Sequence, residues 1–157
     1  DYGTLVRLQY FDPESKIPVV SLSVCMNSST EEYIRFGRSL AKTFSTCGKR
    51  VAFVASGSLA HYHSRNPEDW PTEEQQARDK ELLQYLQNGQ LGQLKARLDD
   101  IAREVRMEGY GYHIASLLGI LEEMIGSYVA NLIAYGPSSG TGNACMTFIP
   151  VEQPVYS

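Results

Sequence analysis

The stretch VAFVASGSLAHYHS, residues 51–64, decides how the rest of the chain is interpreted. It opens with mostly apolar residues, as a buried strand does, and then passes into Ser56-Gly57-Ser58. Two of the chain's three histidines follow, His61 and His63. A histidine just past a strand end can titrate near neutral pH and act as a general acid or base. We therefore predict a candidate functional site directly after this strand.

The sequence upstream of this stretch predicts a βαβ unit. Residues 17–24 (IPVVSLSV) are β-branched and apolar, a helix with Thr30 as its N-cap runs until Gly48, and residues 49–55 form the next strand. This order with short joints implies parallel strands and a right-handed crossover. Residues 5–10 alternate apolar and polar side chains, which predicts a further half-buried strand.

The rest of the chain predicts three helices, then two strands around a Gly-rich turn, over residues 73–86, 94–105, 114–125, 130–135 and 144–151. The predicted fold class is α/β, a layered domain with a central mixed, mostly parallel β-sheet flanked by helices. Sites in such sheets lie outside the carboxyl ends of the strands. We therefore expect the segment after Ala55, the loop around Glu108 and the turn after Tyr135 to meet at one edge.

Composition narrows the class of protein. The 157 residues suit one domain, and the hydrophobic fraction of 43% is ordinary for a globular protein. The net charge of −4, without a Lys/Arg cluster, argues against a nucleic-acid partner. No apolar run approaches the roughly 18 residues of a membrane span, so no membrane partner is expected. The three cysteines are interpreted as reduced thiols of a cytoplasmic protein, small residues within its core.

Two candidates for chemistry keep more than one interpretation. His61 and His63 are expected to point to opposite sides of the extended segment and so to be poor ligands of one metal, with His63 a surface residue. Glu108 lies between Met107 and Gly109. Its carboxylate is either a metal ligand or base, or a helix N-terminal group that faces water.

Two further motifs are weak. The Gly-rich turn GPSSGTG, residues 136–142, either cradles an anion with its backbone amides or is only a turn, and it lacks the lysine of a P-loop. A serine hydrolase with Ser56 or Ser58 as nucleophile is disfavoured, because Ala55 stands where the motif G-x-S-x-G requires its first glycine.

Four segments, in order along the chain, resemble the LigB-like class III extradiol ring-cleaving dioxygenases. Within Val54 to His61, residues 56–61 (SGSLAH) resemble the S-G-x-L-S-H part of the segment V-x-x-S-G-x-L-S-H, with Ala60 replacing the second serine. Residues 1–6 (DYGTLV) are similar to the segment (D/E)-(Y/H)-G-T-x-V-P, and residues 107–113 (MEGYGYH) to the family's E-G segment. Residues 135–142 resemble the closing turn, where S-S-G-T-G is typical of the homoprotocatechuate (3,4-dihydroxyphenylacetate) 2,3-dioxygenase branch.

The resemblance implies a cofactor and roles for individual residues. Members of this superfamily hold iron(II) with two histidines and one glutamate and cleave the ring of a catechol-type aromatic with O2. By motif, Glu108 is the carboxylate ligand and His61 is the acid–base histidine beside the substrate, so a metal triad of His61, His63 and Glu108 is disfavoured. Tyr2 matches a residue that lines the aromatic pocket, and the turn that borders the substrate contains Ser138, Ser139 and Thr141.

One departure from the family pattern affects every functional conclusion. The two iron-binding histidines of the family lie upstream of the Asp-Tyr-Gly segment, and no histidine of this chain corresponds to them. The chain begins at Asp1 without a methionine. We therefore expect residues 1–157 to be the C-terminal portion of a single LigB-like domain, inactive without its N-terminal portion. The alternative is an iron-free, non-catalytic subunit or binding module.

The resemblance does not specify a single partner or a single substrate. A homo-oligomer, or association with the missing N-terminal portion, is expected. A 2-aminophenol substrate in place of a catechol stays open.

Overall fold

The computed structural model of the protein describes residues 2–124 and 128–151, without the side chains of the first two of these residues. In chain order its elements are α1 (Tyr2–Phe11), α2 (Thr30–Thr46), α3 (Glu73–Gln87), α4 (Leu91–Glu104), a short 3-10 helix (Glu108–Gly111), α5 (Tyr112–Glu122), β1 (Tyr128–Ser138) and β2 (Thr141–Pro150). The predicted α/β class is confirmed. Within this part of the chain, however, the sheet consists of the antiparallel pair β1–β2.

The four helices α2 to α5 confirm the predicted helical segments, with one correction at the start of α2. Its N-cap is Ser29 and not Thr30. The Ser29 hydroxyl accepts the amide of Glu32 at 3.3 Å, and the Glu32 carboxylate accepts the amide of Ser29 at 2.8 Å. Both residues are good N-caps, but the glutamate at the third helical position selects the residue three places before it. The Thr30 hydroxyl donates instead to Asp99.

The hydrophobic core lies among the helices α3, α4 and α5, with α2 against its side. Its largest fully buried apolar side chains are Ile34, Leu82, Leu94, Leu98, Ile101, Val105, Leu118 and Leu121. Each such side chain stabilises the fold by about 1.5–3 kcal/mol relative to leaving it in water. The helix α3 contributes its leucines Leu82, Leu83 and Leu86 to this core. No helix among residues 2–124 and 128–151 has the length and apolar character to cross a membrane.

The helices α2 and α5 touch backbone to backbone. A Cβ on Gly119 of α5 would lie 2.0 Å from the carbonyl oxygen of Ile34, and a Cβ on Gly37 of α2 would lie 2.1 Å from that of Ser116. Any larger residue at either glycine would force the helices apart. The ion pair between Arg38 and Glu122, with an N–O distance of 2.6 Å, lies at the same helix–helix contact.

Three predicted strands are wrong for the described residues. Residues 5–10 lie inside α1. The prediction failed because so short an alternating pattern is compatible with a helix as well as with a strand. Residues 17–24 and 49–55 form no strand, and the amides of residues 19–24 and 50–57 donate no hydrogen bond to a described residue. A β-branched apolar sequence favours an extended backbone, but a strand needs a neighbour to pair with. The predicted βαβ unit and central parallel sheet are therefore not seen in this part of the chain.

The two unpaired segments also expose their side chains. Val20 is 83% exposed and Val54 is 53% exposed. The three cysteines, predicted to be core residues, are exposed free thiols, namely Cys25, Cys47 and Cys145. These segments thus have the composition of buried strands but lack described neighbours that would bury them.

The hairpin β1–β2 confirms the two strands predicted near the C-terminus and the Gly-rich turn between them. Its last pair is Ser138 with Thr141, so Ser139 and Gly140 form a two-residue turn. Both turn residues have positive φ, 52° for Ser139 and 80° for Gly140. Positive φ at both positions is the requirement of a type I′ turn, whose twist matches that of the flanking strands.

Candidate functional site

The segment Ser58–His61, which bends at Leu59 and Ala60, pairs on one side with the loop that connects α4 to α5. The amide of Glu108 donates to the carbonyl of Ser58 at 3.3 Å, and the amide of His61 donates to the carbonyl of Val105 at 3.0 Å. The two pairs run antiparallel, since residue numbers rise along one segment and fall along the other. This pairing fixes where His61 and Glu108 lie relative to each other.

The same segment pairs on its other side with the hairpin. The amide of Leu59 donates to the carbonyl of Gly142, and the amide of Gly142 donates to the carbonyl of Ala60, both at 2.8 Å. His61 forms an isolated antiparallel bridge with Thr141. The three segments expected to meet at one edge therefore do meet, although no parallel sheet within the described residues brings them together.

The Glu108 carboxylate is exposed and only partly engaged. One of its oxygens accepts the Ser58 amide at 2.7 Å. The other oxygen has no hydrogen-bond partner among the residues the structure describes. The carboxylate is therefore held in place and keeps one oxygen free for a ligand.

The loop that carries Glu108 is locally strained. Arg106 and Tyr110 adopt left-handed backbone conformations, with φ of 50° and 56°, which cost about 1–2 kcal/mol each for residues with a side chain. The Arg106 guanidinium lies over the ring of Tyr62, 4.6 Å from its centroid. Strain of this kind persists only where surrounding contacts hold the backbone, and it is concentrated at functional sites.

The structure corrects the expectation for the histidine pair. The rings of His61 and His63 lie edge to face with their centroids 4.5 Å apart, so they do not point to opposite sides. Side chains two residues apart on an extended segment share a face. His61 is half-buried and His63 is exposed. Across residues 2–124 and 128–151, no three histidine, cysteine, aspartate or glutamate side chains group as metal ligands.

The residues predicted to border a substrate lie at the hairpin tip and differ in exposure. Ser138 is exposed, Ser139 is half-buried, and the buried Thr141 donates its hydroxyl to the carbonyl of Ser138 at 2.6 Å. Asn143, which the sequence analysis missed, donates to the Thr141 hydroxyl at 2.9 Å and accepts from the Ser58 hydroxyl at 3.2 Å. The signal that could have identified Asn143 is its position directly after the S-S-G-T-G sequence.

The predicted role of Tyr2 in lining the pocket is not tested. Tyr2 begins α1, but the side chain that was predicted to line the pocket lies outside the described part. A groove of about 910 Å³ runs beside the site and is lined by His63, Trp70 and Arg78 among others. Neither His61 nor Glu108 lines this groove. Among the described residues, His61 and Glu108 are therefore related by the backbone pairing of their segments, and they do not line this groove together.

His113, at the start of α5, is a buried residue that the sequence analysis did not single out. Its ring packs on Gly57, where a Cβ would lie 2.8 Å from the imidazole Cε1. Burial lowers the pKa of His113 to about 4, against the opposing effects of the Glu108 charge and backbone carbonyl. The buried Nε2 has no hydrogen-bond partner among the described residues. A neutral imidazole therefore supports the backbone on both sides of the Ser58–Glu108 contact.

Asp79, on α3, is a second buried residue that the sequence analysis missed. One carboxylate oxygen accepts the Ala60 amide at 3.0 Å, and the other accepts the Tyr135 hydroxyl at 2.8 Å. Burial raises the pKa of Asp79 to about 6, although both hydrogen bonds act in the opposite direction. The signal was its helical spacing, since it precedes by three, four and seven residues the buried side chains of Leu82, Leu83 and Leu86.

The described residues do not by themselves fit a three-ligand iron site. Glu108 offers one free carboxylate oxygen, but no cluster of metal-ligating side chains surrounds it in the part of the chain that the structure describes. A facial triad needs two more ligands. We therefore derive no reaction step through a metal bound to these residues alone.

The sequence is similar to known proteins along most of its length. Residues 1–146 match the family described as the catalytic LigB subunit of aromatic ring-opening dioxygenase. The 2-aminophenol 1,6-dioxygenase beta subunit of a Pseudomonas species is 26% identical over 164 residues, which cover 92% of this chain and 52% of that protein. A MEMO1 family protein of Methanosarcina barkeri is 30% identical over 149 residues, covering 92% of this chain and 51% of that protein.

The chain spans about half the length of the curated relatives it matches. The family match runs from the first residue through the Ser58–His61 segment and the Glu108 loop into β2, and so includes all three segments of the site. The chain therefore belongs to the LigB family.

Proposed function

We propose that this chain forms part of an iron(II)-dependent extradiol dioxygenase that opens a catechol-type or 2-aminophenol-type ring with O2. The observation that carries the proposal is the antiparallel pairing of Ser58–His61 with Val105–Glu108. It places a half-buried histidine and a partly free carboxylate on neighbouring segments. The relative named as a 2-aminophenol 1,6-dioxygenase beta subunit supports the same reaction class.

In this proposal the chain's own residues have separate roles. His61 accepts a proton from a ring hydroxyl and returns it as the ring opens, as a general acid–base group does. Glu108 supplies one carboxylate oxygen as an iron ligand. Their paired positions, Ser58 with Glu108 and His61 with Val105, are three residues apart along each segment. Tyr2 and the hairpin residues Ser138, Ser139 and Thr141 border the substrate ring.

We also propose that a further polypeptide segment, the N-terminal portion of the same domain, completes the site. The described residues offer one ligand of the three, and the chain spans about half the length of its relatives. In residues 19–24 and 50–57, amides without a hydrogen-bond partner among the described residues accompany exposed apolar side chains such as Val20 and Val54. An extended backbone of this kind is a template for the addition of further strands.

Two observations bear on which aromatic compound is the substrate. The S-S-G-T-G sequence at residues 138–142 supports a substrate related to homoprotocatechuate, whereas the Pseudomonas relative supports a 2-aminophenol. Both are aromatic rings with two adjacent polar substituents. We therefore propose this shared class as the substrate, and the assay below separates its two members.

A second candidate is an iron-free subunit or binding module of the same family. It is favoured by one observation, namely that Glu108 belongs to no group of three metal-ligating side chains within the described ranges. The relative named as a beta subunit is consistent with a chain that acts next to another subunit.

Substrate-dependent oxygen uptake by the full-length gene product tests the proposed function. We expect uptake with catechol, homoprotocatechuate or 2-aminophenol after loading with ferrous iron, and none from the 157-residue chain alone, because that chain offers one ligand. The parallel measurement is iron content after gel filtration. If the full-length product binds no iron and consumes no oxygen with any of the three, the iron-free candidate replaces the enzyme.

A further inference from the structure

The Asp79 carboxylate joins the two elements that carry the site. It accepts the backbone amide of Ala60, the residue directly before His61, at 3.0 Å. Its other oxygen accepts the hydroxyl of Tyr135, on β1 of the hairpin, at 2.8 Å. The side chain is fully buried, with 0% exposed. Asp79 thus connects α3 to the segment that contains His61 and to the hairpin at once.

The hairpin backbone is fitted closely to this carboxylate. A Cβ on Gly142 would lie 2.0 Å from the Asp79 Oδ2, so no residue with a side chain fits there without displacing the carboxylate. Gly142 is the residue that exchanges two hydrogen bonds with Leu59 and Ala60. The carboxylate therefore packs directly against the point where the His61 segment and the hairpin pair.

The cost of this arrangement argues for a role beyond packing. No Lys, Arg or His among the described residues pairs with the Asp79 carboxylate. A buried carboxylate without a cationic partner costs free energy that an apolar side chain in the same place would avoid. The two hydrogen bonds from Ala60 and Tyr135 offset part of this cost, and an apolar side chain could not accept them.

We propose that Asp79 is a positioning residue for His61, holding the Ala60 amide and the β1–β2 hairpin so that the imidazole stays aligned with the Glu108 loop. This inference rests on the proposed function for its catalytic consequence. Its structural part, the fixing of the His61 segment, does not depend on the reaction.

The test compares Asp79→Leu with Asp79→Asn in the full-length gene product. Leucine removes both acceptors, whereas asparagine keeps an acceptor for the Ala60 amide and a polar group for Tyr135. We expect Asp79→Leu to lower kcat about tenfold to a hundredfold, because the His61 segment is misplaced, and to raise KM as well, because the hairpin that borders the substrate is released. Asp79→Asn should retain kcat within about threefold. Glu81→Leu, the matched control on the same helix, should leave kcat unchanged.

Hydrogen exchange at the His61 amide provides a readout that does not require turnover. That amide bonds Val105 and makes no contact with Asp79, so it reports the position of the whole segment. We expect Asp79→Leu to accelerate its exchange about tenfold or more and Asp79→Asn to leave it near wild type. Tyr135→Phe removes only one of the two bonds and should act in the same direction with a smaller effect, which keeps the test decisive if Asp79→Leu does not fold.

The outcomes separate this inference from the proposed function. If the wild-type product shows no ring cleavage but Asp79→Leu accelerates exchange at His61, the positioning role stands and the enzymatic proposal fails. If exchange at His61 is unchanged in folded Asp79→Leu and in Tyr135→Phe, the positioning role is refuted, whatever the activity.

Discussion

Replacement of His61 by phenylalanine in the full-length gene product is expected to lower turnover about a hundredfold to ten-thousandfold and to leave bound iron unchanged. Phenylalanine preserves the aromatic shape of the side chain but cannot accept or return a proton, and general acid–base catalysis contributes about that factor. The backbone contacts of His61 with Val105 and Thr141 do not involve the side chain, so the fold should persist. The measurements are substrate-dependent oxygen uptake and iron content on the same preparation.

His63→Phe is the matched control for this experiment. Its ring lies next to that of His61 but is exposed, and the resemblance gives it no role. We expect turnover within about threefold of wild type, since an exposed side chain outside the reaction has little effect on the barrier. If His63→Phe loses turnover as His61→Phe does, or if His61→Phe loses its iron, the assignment of acid–base and ligand roles is wrong.

The pH dependence of folding stability should change sharply when Asp79 becomes asparagine. Burial raises the pKa of Asp79 to about 6 in the folded chain, from 3.8 for an ordinary aspartate. The folded state therefore binds the proton more tightly, so the stability that Asp79 contributes is full below about pH 4 and is lost as pH rises through about 6. A rise of about two pKa units corresponds to about 3 kcal/mol. The free energy of unfolding of wild type minus that of Asp79→Asn should fall by about this amount between about pH 3.5 and about pH 7.

Urea denaturation at a series of pH values measures this difference, and the comparison with the variant is essential. Burial lowers the pKa of His113 to about 4, so the unfolded chain binds a proton there more tightly than the folded chain. His113 therefore raises the free energy of unfolding as pH rises over the same range, which hides the opposite contribution of Asp79 in wild type alone. Glu81→Gln is the control, and its wild-type minus variant difference should change with pH in the opposite direction. The ion pairs of Glu81 with Arg97 and Arg78 hold the pKa of Glu81 below its usual range, so the stability that Glu81 contributes is lost as pH falls. A wild-type minus Asp79→Asn difference that stays constant across this range would contradict the burial of an ionisable carboxyl at this position.

The parts of the fold that the sequence predicted are those whose stability is local. The helices α2 to α5 follow from helical periodicity, and the hairpin follows from two strand patterns around a Gly-rich turn. Two of the three wrong strands are those that need distant partners. Residues 17–24 and 49–55 have the composition of buried strands, but composition does not specify which segment pairs with them.

The meeting of the segments that carry the candidate site was predictable from the sequence, but the buried side chains that support them were not. The meeting of the three segments was predicted and is confirmed, whereas the chemical roles of His61 and Glu108 stay predictions. Asp79 and His113 were missed, because a single polar residue within a helix gives no signal of burial unless its spacing to the leucines is considered. The pairing between Ser58 and Glu108, fifty residues apart, depends on tertiary contacts that no local pattern encodes.

The measurement that tests the central claim most directly is the iron content of the full-length gene product with Glu108 replaced by glutamine. The amide keeps an acceptor for the Ser58 backbone but is a much poorer ligand for iron(II) than a carboxylate. We expect iron occupancy to fall about tenfold or more at a fixed ferrous concentration, while Glu104→Gln, four residues earlier in α4, stays at the wild-type level. Wild-type iron occupancy in a folded Glu108→Gln variant would contradict the account.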